Sequence, residues 1–327
     1  MPSLLEIRDL HMRFSLFEGL SHVLNGISLS IEKGERVAIV GESGCGKSVT
    51  VRAILGLLQQ RNVAIEGSIR FHETELLGMP ERAWRQIRGS RISMIFQDPM
   101  ASLNPTFKVR DQLLKVIRRG GRAGSAREAY EIACAGLRQV AIVDPDRILA
   151  AYPFQLSGGL AQRVMITMAL VNRPELVLAD EPGSALDVTV QEQTLRLMHE
   201  LTQDAGAAVL LITHNLGVVR EFAQRVYVMY AGTIVEEADV ETLFREPAHP
   251  YTRALLEAVP KLTGAGLPRP IEGIVPDYTA APSGCRFHPR CEFAEAACRE
   301  MPPVIELGSR HRVACVLPER DRVAVPN

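Results

Sequence analysis

Residues 36–48 read Arg-Val-Ala-Ile-Val-Gly-Glu-Ser-Gly-Cys-Gly-Lys-Ser, an apolar run followed at once by a glycine-rich turn. The turn matches the pattern G-x-x-x-x-G-K-S/T, and residues 49–58 after it place apolar side chains at helical spacing. A strand, a glycine-rich loop and a helix in this order predict an α/β unit that binds phosphates, because backbone N–H groups of the loop and of the helix N-terminus surround the phosphate oxygens.

The side chains of the glycine-rich turn have separate predicted tasks. The Lys47 ammonium is predicted to reach the β and γ phosphates of a nucleotide, and the Ser48 hydroxyl is predicted to ligate Mg²⁺. Cys45 occupies a variable slot, where we interpret it as a small filler. The residues predicted to bind the nucleotide in this segment are Gly41, Ser43, Gly44, Cys45, Gly46, Lys47, Ser48 and Val49.

An acidic pair, Asp180 and Glu181, follows the apolar run at 176–179. Open α/β sheets bind their ligands at the carboxyl ends of the strands. Asp180 is therefore predicted to hold Mg²⁺, and Glu181 is predicted to polarise an attacking water. The alternative is an acidic pair that caps a helix, which the glycine-rich loop upstream disfavours.

A second helix start also carries glycines. Ser157-Gly158-Gly159 opens a stretch whose apolar residues recur at helical spacing. An ordinary N-cap would explain Ser157 but would not require two glycines behind it. Two phosphate-binding helix starts in one chain predict a dimer, in which each nucleotide is closed by the second site of the partner.

The composition excludes several classes of protein. The 37 Lys and Arg residues nearly balance the 38 Asp and Glu residues, which argues against a dedicated nucleic-acid-binding protein. No apolar run approaches the ~20 residues of a membrane span. Residues 1–6 lack the charged start and apolar core of a secretory signal. The chain is therefore predicted to be intracellular, and either soluble or peripheral to a membrane.

The pattern changes along the chain. The first 40 residues alternate polar and apolar positions, which predicts short half-buried strands, whereas residues 105–150 look helical. Apolar runs at 176–179 and 208–212 predict parallel strands that are covered on both faces. Prolines become dense after Glu246, which indicates a separate C-terminal appendage.

Taken in this order, the motifs resemble those of the ATP-binding cassette (ABC) ATPases. The resemblance rests on the glycine-rich loop, the acidic pair and residues 156–163, which read Leu-Ser-Gly-Gly-Leu-Ala-Gln-Arg. Gln97, Asp187 and His214 complete the pattern. The resemblance implies that Gln97 contacts Mg²⁺ and senses the transporter, that Asp187 is the acid of the D-loop, and that His214 bonds the γ-phosphate.

The same resemblance implies how nucleotides are shared between two subunits. Ser157, Gly158 and Gly159 would grip the γ-phosphate of the nucleotide bound by the partner. Glu181, His214 and Gln97 would form the catalytic set. For the aromatic ring that stacks on adenine, we choose Phe14, which ends the early strand, over Phe17.

A narrower resemblance extends over nearly the whole chain. Residues 96–105 read Phe-Gln-Asp-Pro-Met-Ala-Ser-Leu-Asn-Pro, and residues 243–252 read Leu-Phe-Arg-Glu-Pro-Ala-His-Pro-Tyr-Thr. Both look like the ATPases of dipeptide, oligopeptide and nickel importers. Gly183-Ser184 replaces the usual Thr-Thr, and Phe154-Gln155 replaces the usual His-Glu. Neither departure removes a group that performs chemistry.

Four of the six cysteines lie near the end of the chain, at Cys285, Cys291, Cys298 and Cys315. Four thiolates suit Zn²⁺ or an iron–sulfur cluster, and free thiols are the third alternative. The wide gaps fit zinc poorly, because zinc ligands usually come in tight C-x₂₋₄-C pairs. Residues 285–291 also resemble the tail of the same importers, some of which hold a [4Fe–4S] cluster. His288 and His311 are further ligand candidates, which we interpret as neighbours of the site.

The predicted fold is α/β: a P-loop NTPase (RecA-like) core with an antiparallel β subdomain, an inserted α-helical subdomain and a small C-terminal cysteine-rich extension. The nucleotide-binding domain is predicted at 1–240, with the helical subdomain at about 98–165. The extension is predicted at 241–327 and would carry the four-cysteine site.

The resemblance implies an ATPase subunit of a bacterial importer for dipeptides or oligopeptides, with ATP, Mg²⁺ and a [4Fe–4S] cluster as cofactors. Its partners would be a second, paralogous ATPase subunit, two transmembrane permeases and, indirectly, an extracytoplasmic solute-binding protein, but no nucleic acid. The chain would lie on the cytoplasmic face of the cell membrane as a peripheral protein. Nickel or another small solute is the alternative cargo, and a soluble ABC ATPase without a transport role is the alternative class.

Overall fold

The computed structural model of the protein describes residues 3–58, 61–184, 187–259 and 269–318. Within these residues the strands are β1 (Leu5–Leu16), β2 (Gly19–Ile31), β3 (Arg36–Val40), β4 (Val63–Phe71), β5 (Thr74–Glu75), β6 (Ile92–Ile95), β7 (Leu176–Asp180), β8 (Ala208–Ile212), β9 (Arg225–Tyr230), β10 (Thr233–Asp239), β11 (Val304–Gly308) and β12 (His311–Ala314). The helices are α1 (Lys47–Ile54), α2 (Glu81–Ile87), α3 (Pro99–Ser102), α4 (Val109–Arg119), α5 (Ala126–Gln139), α6 (Pro145–Ala150), α7 (Gly158–Leu170), α8 (Val188–Ala205), α9 (Leu216–Phe222), α10 (Val240–Arg245) and α11 (Pro250–Glu257).

The chain divides into two compact units. The first, which we call the helical unit, comprises Ile31–Arg36 and Gly78–Ile212. The second, which we call the P-loop unit, comprises Pro2–Ser30, Val37–Leu77 and Thr213–Asn327. The acidic pair belongs to the helical unit, and both the glycine-rich loop and the terminal cysteines belong to the P-loop unit.

The helical unit is built around three parallel strands in the order β8-β7-β6. Every residue of β7 and β8 is buried, as their apolar runs predict. Between β6 and β7 the chain forms helices α3 to α7, in agreement with the helical pattern expected there.

The inserted helices pack through residues that are four positions apart, which lie on one face of a helix. In α4 and α5 the residues with this spacing are fully buried: Leu113 and Ile117 in α4, and Ala133 and Leu137 in α5. Asn172, after α7, joins the insertion to the chain before β6. Its Nδ2 donates to the carbonyl oxygens of Gly89 at 2.8 Å and Val116 at 3.1 Å.

The P-loop unit contains an antiparallel sheet in the order β2-β1-β4-β5. Strand β1 pairs with β4 along most of its length, and β4 pairs with β5. Buried and more exposed positions broadly alternate at the start of β1, in line with the alternation of its sequence. The antiparallel subdomain that was predicted for the N-terminal part of the chain is therefore present.

A second sheet of the P-loop unit runs in the order β11-β12-β10-β9-β3. Strand β3 is parallel to β9, and the remaining pairs are antiparallel. The C-terminal hairpin β11–β12 thus continues the sheet that contains the strand before the glycine-rich loop. Proline density alone did not predict this pairing.

A buried carboxylate, Glu236 on β10, holds the C-terminal hairpin. It is 1% exposed and accepts hydrogen bonds from the backbone N–H groups of Ala248 and His249 and from Nε2 of His311. Burial alone would raise the pKa of Glu236, but the hydrogen bonds from His311 and from the two backbone N–H groups lower it overall. A small core of Ala248, Ile305, Val313 and Cys315 packs beside this group.

Candidate nucleotide-binding site

The glycine-rich loop begins where β3 ends and leads directly into α1. Gly41 has a φ of +154°, and a Cβ at this position would collide with the carbonyl oxygen of Met229. Gly46, the N-cap of α1, lies in the left-handed region with a φ of +109°. Both positions require glycine, because an L side chain is strained or excluded there.

Lys47 is folded back onto its own loop. Its side chain is buried, and Nζ donates to the carbonyl oxygens of Gly41 at 2.9 Å and Glu42 at 3.0 Å. Cys45 is fully buried, with its Sγ 3.8 Å from the same ammonium. Burial raises the pKa of the Cys45 thiol, which favours a neutral filler over an ionised group. Ser43 and Gly44 are exposed at the tip of the loop.

In the helical unit, Asp180 ends β7 and is almost fully buried. Glu181 follows it with a φ of +46°, an uncommon value for a residue with a side chain. The backbone N–H of Glu181 donates to the carbonyl oxygen of Ile212 at 2.8 Å, which fixes the turn. Nε2 of Gln97 lies 3.4 Å from Oε2 of Glu181, so the structure brings these two predicted catalytic residues together.

Ser157 is the N-cap of α7. Its Oγ accepts a hydrogen bond from the backbone N–H of Leu160 at 3.4 Å, and both Ser157 and Gly158 are exposed. Asp187 is likewise exposed and is the N-cap of α8, where it accepts from the N–H of Val190 at 3.0 Å. Ala185 and Leu186, the two residues before it in the predicted D-loop, lie outside the described residues.

His214 lies in the P-loop unit, just after β8. The backbone N–H of the preceding Thr213 donates to the carbonyl oxygen of Ile39 on β3 at 3.3 Å, and the His214 side chain is exposed. Phe14 is half-buried on β1 opposite Val63, whereas Phe17 is wholly exposed in the turn that follows β1.

Three side chains from the C-terminal part of the chain hold the glycine-rich loop, and the sequence motifs did not predict them. Tyr251 accepts a hydrogen bond from the N–H of Glu42 at 2.9 Å, and Arg290 pairs with the Glu42 carboxylate. The Tyr278 hydroxyl donates to the carbonyl oxygen of Gly44 at 2.6 Å. These residues are more than 200 positions from the loop in sequence, so no local motif could have predicted them.

The four C-terminal cysteines line one cavity, together with His249, Phe287 and His288. They are free thiols, and burial raises the pKa of Cys285 to about 11. Within the described residues, no three His, Cys, Asp or Glu side chains come close enough to hold a single metal ion. The described residues therefore give no support to the predicted metal site, whether it holds Zn²⁺ or a [4Fe–4S] cluster.

Both nearby histidines have a hydrogen-bond partner on one ring nitrogen. His288 Nδ1 lies 2.9 Å from the carbonyl oxygen of Cys285, and His311 Nε2 lies 2.9 Å from the Glu236 carboxylate.

Comparisons with known proteins extend over both parts of the chain. The family described as ABC transporter matches residues 24–184, and the family described as oligopeptide/dipeptide transporter, C-terminal region, matches residues 235–298. A probable peptide ABC transporter ATP-binding protein of Sinorhizobium fredii is 48% identical over 317 residues, which cover 95% of this chain and 94% of that protein. A dipeptide transport ATP-binding protein of Bacillus subtilis is 43% identical over 324 residues, with 98% and 96% covered.

Among solved structures, the chain is similar to the dimeric ATP-binding cassette MJ0796 in a post-hydrolysis state bound to ADP and phosphate. The TM-score is 0.65 at 28% sequence identity, and the match covers 72% of this chain and 98% of that chain. The fold is therefore that of the ABC ATPases, as the sequence motifs predicted.

Proposed function

The chain belongs to the ATP-binding proteins of dipeptide and oligopeptide ABC transporters, and from this premise we propose that it is the ATP-hydrolysing subunit of a bacterial peptide importer. The observation that carries the proposal is similarity along almost the whole chain, since the two relatives are covered over 94% and 96% of their own length. The matched C-terminal region supports a peptide over nickel or another small solute as the cargo.

The P-loop unit supplies the residues that bind the nucleotide. We assign the phosphates to the glycine-rich loop and the start of α1, namely to Gly41, Ser43, Gly44, Cys45, Gly46, Lys47, Ser48 and Val49. The Lys47 ammonium exchanges its two loop carbonyls for phosphate oxygens. Phe14 is assigned to the adenine ring, and His214 to the γ-phosphate. The nucleotide-binding domain would span 1–240 and the C-terminal extension 241–327.

Ser48, Gln97 and Asp180 are assigned as the ligands of Mg²⁺. Their hydroxyl, amide and carboxylate oxygens are the hard donors that this ion prefers, so the residues present fit it. When bound, Mg²⁺ would neutralise phosphate charge during hydrolysis.

Glu181 is assigned as the group that orients the attacking water and accepts its proton. Gln97 supports this role, because its amide Nε2 lies 3.4 Å from the Glu181 carboxylate and can hold it in one orientation. Ser157, Gly158, Gly159 and Asp187 are assigned to the nucleotide of a partner subunit, which we propose to be a paralogue in a heterodimer.

The dimer would act on two transmembrane permeases that receive peptides from an extracytoplasmic solute-binding protein. Across the described ranges, every helix falls short of the length and apolar character that a membrane crossing needs. We therefore propose a peripheral position on the cytoplasmic face of the inner membrane, where closure of the ATPase pair on ATP moves the permeases.

A Glu181→Gln variant of the assembled transporter tests the role of Glu181 in hydrolysis. The variant should bind MgATP as the wild type does and lose about 100-fold or more in turnover, because the carboxylate that takes the proton is gone. Glu131→Gln, an exposed glutamate in the same unit, is the matched control. Near-normal turnover of Glu181→Gln would refute the assignment.

The cargo is tested by uptake in a strain that lacks the gene for this chain. Loss of labelled dipeptide or tripeptide uptake, restored by the wild-type chain and not by Glu181→Gln, is the expected result. Loss of nickel uptake with peptide uptake intact would replace the peptide by the metal ion, and intact uptake of both would exclude a transport role.

A [4Fe–4S] cluster is proposed for the cysteine cavity. Each iron of such a cluster takes one thiolate, so its four cysteines need to surround a common space and need not converge on one point. The observation that supports the proposal is that Cys285, Cys291, Cys298 and Cys315 line one cavity. When bound, the cluster would cross-link the segments that carry the four thiols.

Metal analysis of anaerobically purified protein tests this assignment. About four iron atoms and four acid-labile sulfides per chain are expected, together with a broad visible absorbance. Cys291→Ser should lose most of the iron, whereas Cys134→Ser, a buried cysteine in the helical unit, should retain it. One zinc per chain, or no metal at all, would contradict the cluster.

A further inference from the structure

The C-terminal part of the P-loop unit holds the glycine-rich loop through three side chains. Tyr251 and Arg290 bond Glu42, the second residue of the loop, and Tyr278 bonds Gly44. Tyr278 is itself held in place, because its carbonyl oxygen accepts a hydrogen bond from the N–H of His22 at 3.0 Å. The loop that is assigned to the phosphates is thus fixed by residues that no nucleotide-binding motif contains.

The strongest of these contacts is the ion pair between Arg290 and Glu42. The guanidinium donates to both carboxylate oxygens, with NH1 2.8 Å from Oε2 and NH2 3.1 Å from Oε1. The Arg290 side chain is 5% exposed and that of Glu42 is 27% exposed, so solvent screens the pair only in part. A two-point contact of this kind fixes the orientation of both groups.

Arg290 has little freedom to leave Glu42. Its Nε donates to the carbonyl oxygen of Glu272 at 2.8 Å, its NH2 also donates to that of Ile271 at 3.2 Å, and its NH1 also donates to the Tyr230 hydroxyl at 3.2 Å. The backbone N–H of Glu42 is occupied by Tyr251. The position of Glu42 is therefore set by the C-terminal residues on both its side chain and its main chain.

The charge of Glu42 lies close to the place assigned to the phosphates. Its carboxylate belongs to a loop whose assigned ligand is a triphosphate with several negative charges. An unpaired carboxylate there would repel the ligand across a partly desolvated space, where charges interact more strongly than in water.

We propose that Arg290 is a positioning residue for nucleotide binding, which neutralises and orients Glu42 so that the glycine-rich loop accepts a triphosphate. This inference rests on the proposed assignment of ATP to the glycine-rich loop. Arg290 immediately precedes Cys291, and the same segment carries Arg286, whose NH1 donates to the carbonyl oxygens of His22 at 3.1 Å and Ala231 at 2.5 Å. The turn that lines the cysteine cavity is therefore also the turn that supports the ATP site.

The test is a double-mutant cycle on the affinity of the purified chain for MgATP and MgADP, measured by calorimetry. Arg290→Gln should weaken MgATP binding by about tenfold, because it leaves the Glu42 charge unpaired beside the phosphates. The loss should be smaller for MgADP, which carries less charge, and should shrink as salt is added. Glu42→Gln alone should bind MgATP at least as tightly as the wild type, and Glu42→Gln/Arg290→Gln should recover most of the loss.

The matched control is Arg312→Gln. Arg312 forms an exposed ion pair with Glu306 at 3.0 Å in the same C-terminal region, and its loss should leave the affinity for both nucleotides unchanged. Circular dichroism of each variant verifies that it folds. If Arg290→Gln does not fold, Arg290→Lys keeps a charge without the two-point contact and should show a smaller loss, which the Glu42→Gln change again relieves.

The outcomes separate this inference from the proposed function. Failure of the wild-type chain to bind MgATP would refute the ATP site itself. Wild-type binding with equal affinity in Arg290→Gln would overturn only the role of Arg290. A double variant no better than Arg290→Gln, a salt-independent loss, or an equal loss in Glu42→Gln would reduce the ion pair to a merely structural contact and would overturn the proposal as well.

Discussion

Two helix starts in this chain are rich in glycine, and they are supported in different ways. The start of α1 belongs to a loop that makes several hydrogen bonds. Lys47 is buried against the loop carbonyls. From the C-terminal region, Tyr251, Tyr278 and Arg290 bond the loop at Glu42 and Gly44. The start of α7 is exposed at Ser157, whose hydroxyl accepts a hydrogen bond from the next turn of its own helix.

The difference supports the proposal that α1 binds the nucleotide of its own chain and that α7 contacts the nucleotide of a partner. A loop that is already fixed in its binding conformation loses little further entropy when phosphate arrives. An exposed helix start that is capped within its own helix suits a surface that meets a ligand carried by another subunit. We therefore expect changes at α1 to abolish binding in the isolated chain, and changes at α7 to act only in the assembled pair.

The largest effect is expected for Lys47→Ala in the isolated chain. Removal of the ammonium takes away the cation assigned to the β and γ phosphates, so the affinity for MgATP should fall by about 100-fold. Calorimetry with the purified protein measures this affinity. The control is Lys33→Ala, since Lys33 is an exposed lysine in the turn before β3. Affinity within threefold of the wild type would remove Lys47 from the site.

A smaller effect is expected for Ser157→Ala, and it should appear only in the assembled transporter. The turnover of the pair should fall by about 20-fold, while the isolated chain should bind MgATP with unchanged affinity. Both results follow if the hydroxyl contacts the nucleotide of the partner and not the one bound by its own chain.

Ser125→Ala is the matched control for this variant. Ser125 is the N-cap of α5 and accepts a hydrogen bond from the N–H of Glu128 at 3.1 Å, the same contact that Ser157 makes with Leu160. Each substitution should cost about 1 kcal/mol of stability through the lost cap. Only Ser157→Ala should lose turnover, and an equal loss in Ser125→Ala would reduce Ser157 to a helix cap.

Several features of the fold and of the candidate site could be predicted because they follow from local sequence. The glycine-rich loop and the acidic pair are local motifs, so Gly41, Lys47 and Glu181 could be placed from spacing alone. The buried apolar runs predicted β7 and β8 for the same reason.

Contacts between residues far apart in sequence could not be predicted in this way. The pairing of β12 with β10 and the contact between Arg290 and Glu42 join residues 70 or more positions apart, and no periodicity links them. Proline density indicated a separate C-terminal appendage after Glu246, but it carried no information on which strand the later residues would join. Tertiary pairing is determined by packing and complementary charge, which a single sequence does not display.

The smallest effect is expected at the adenine end of the site assigned to α1. Phe14 is half-buried on β1 and can present a fixed ring face, whereas Phe17 is wholly exposed and would lose conformational freedom on stacking. Phe14→Ala should therefore weaken MgATP binding by about fivefold, near the lower end of what one stacked ring contributes. Phe17→Ala, measured by the same titration, should change it by less than about twofold. The opposite order of the two variants would transfer the adenine to Phe17 and would mean that this end of the site is assembled on binding, unlike the fixed loop around Lys47.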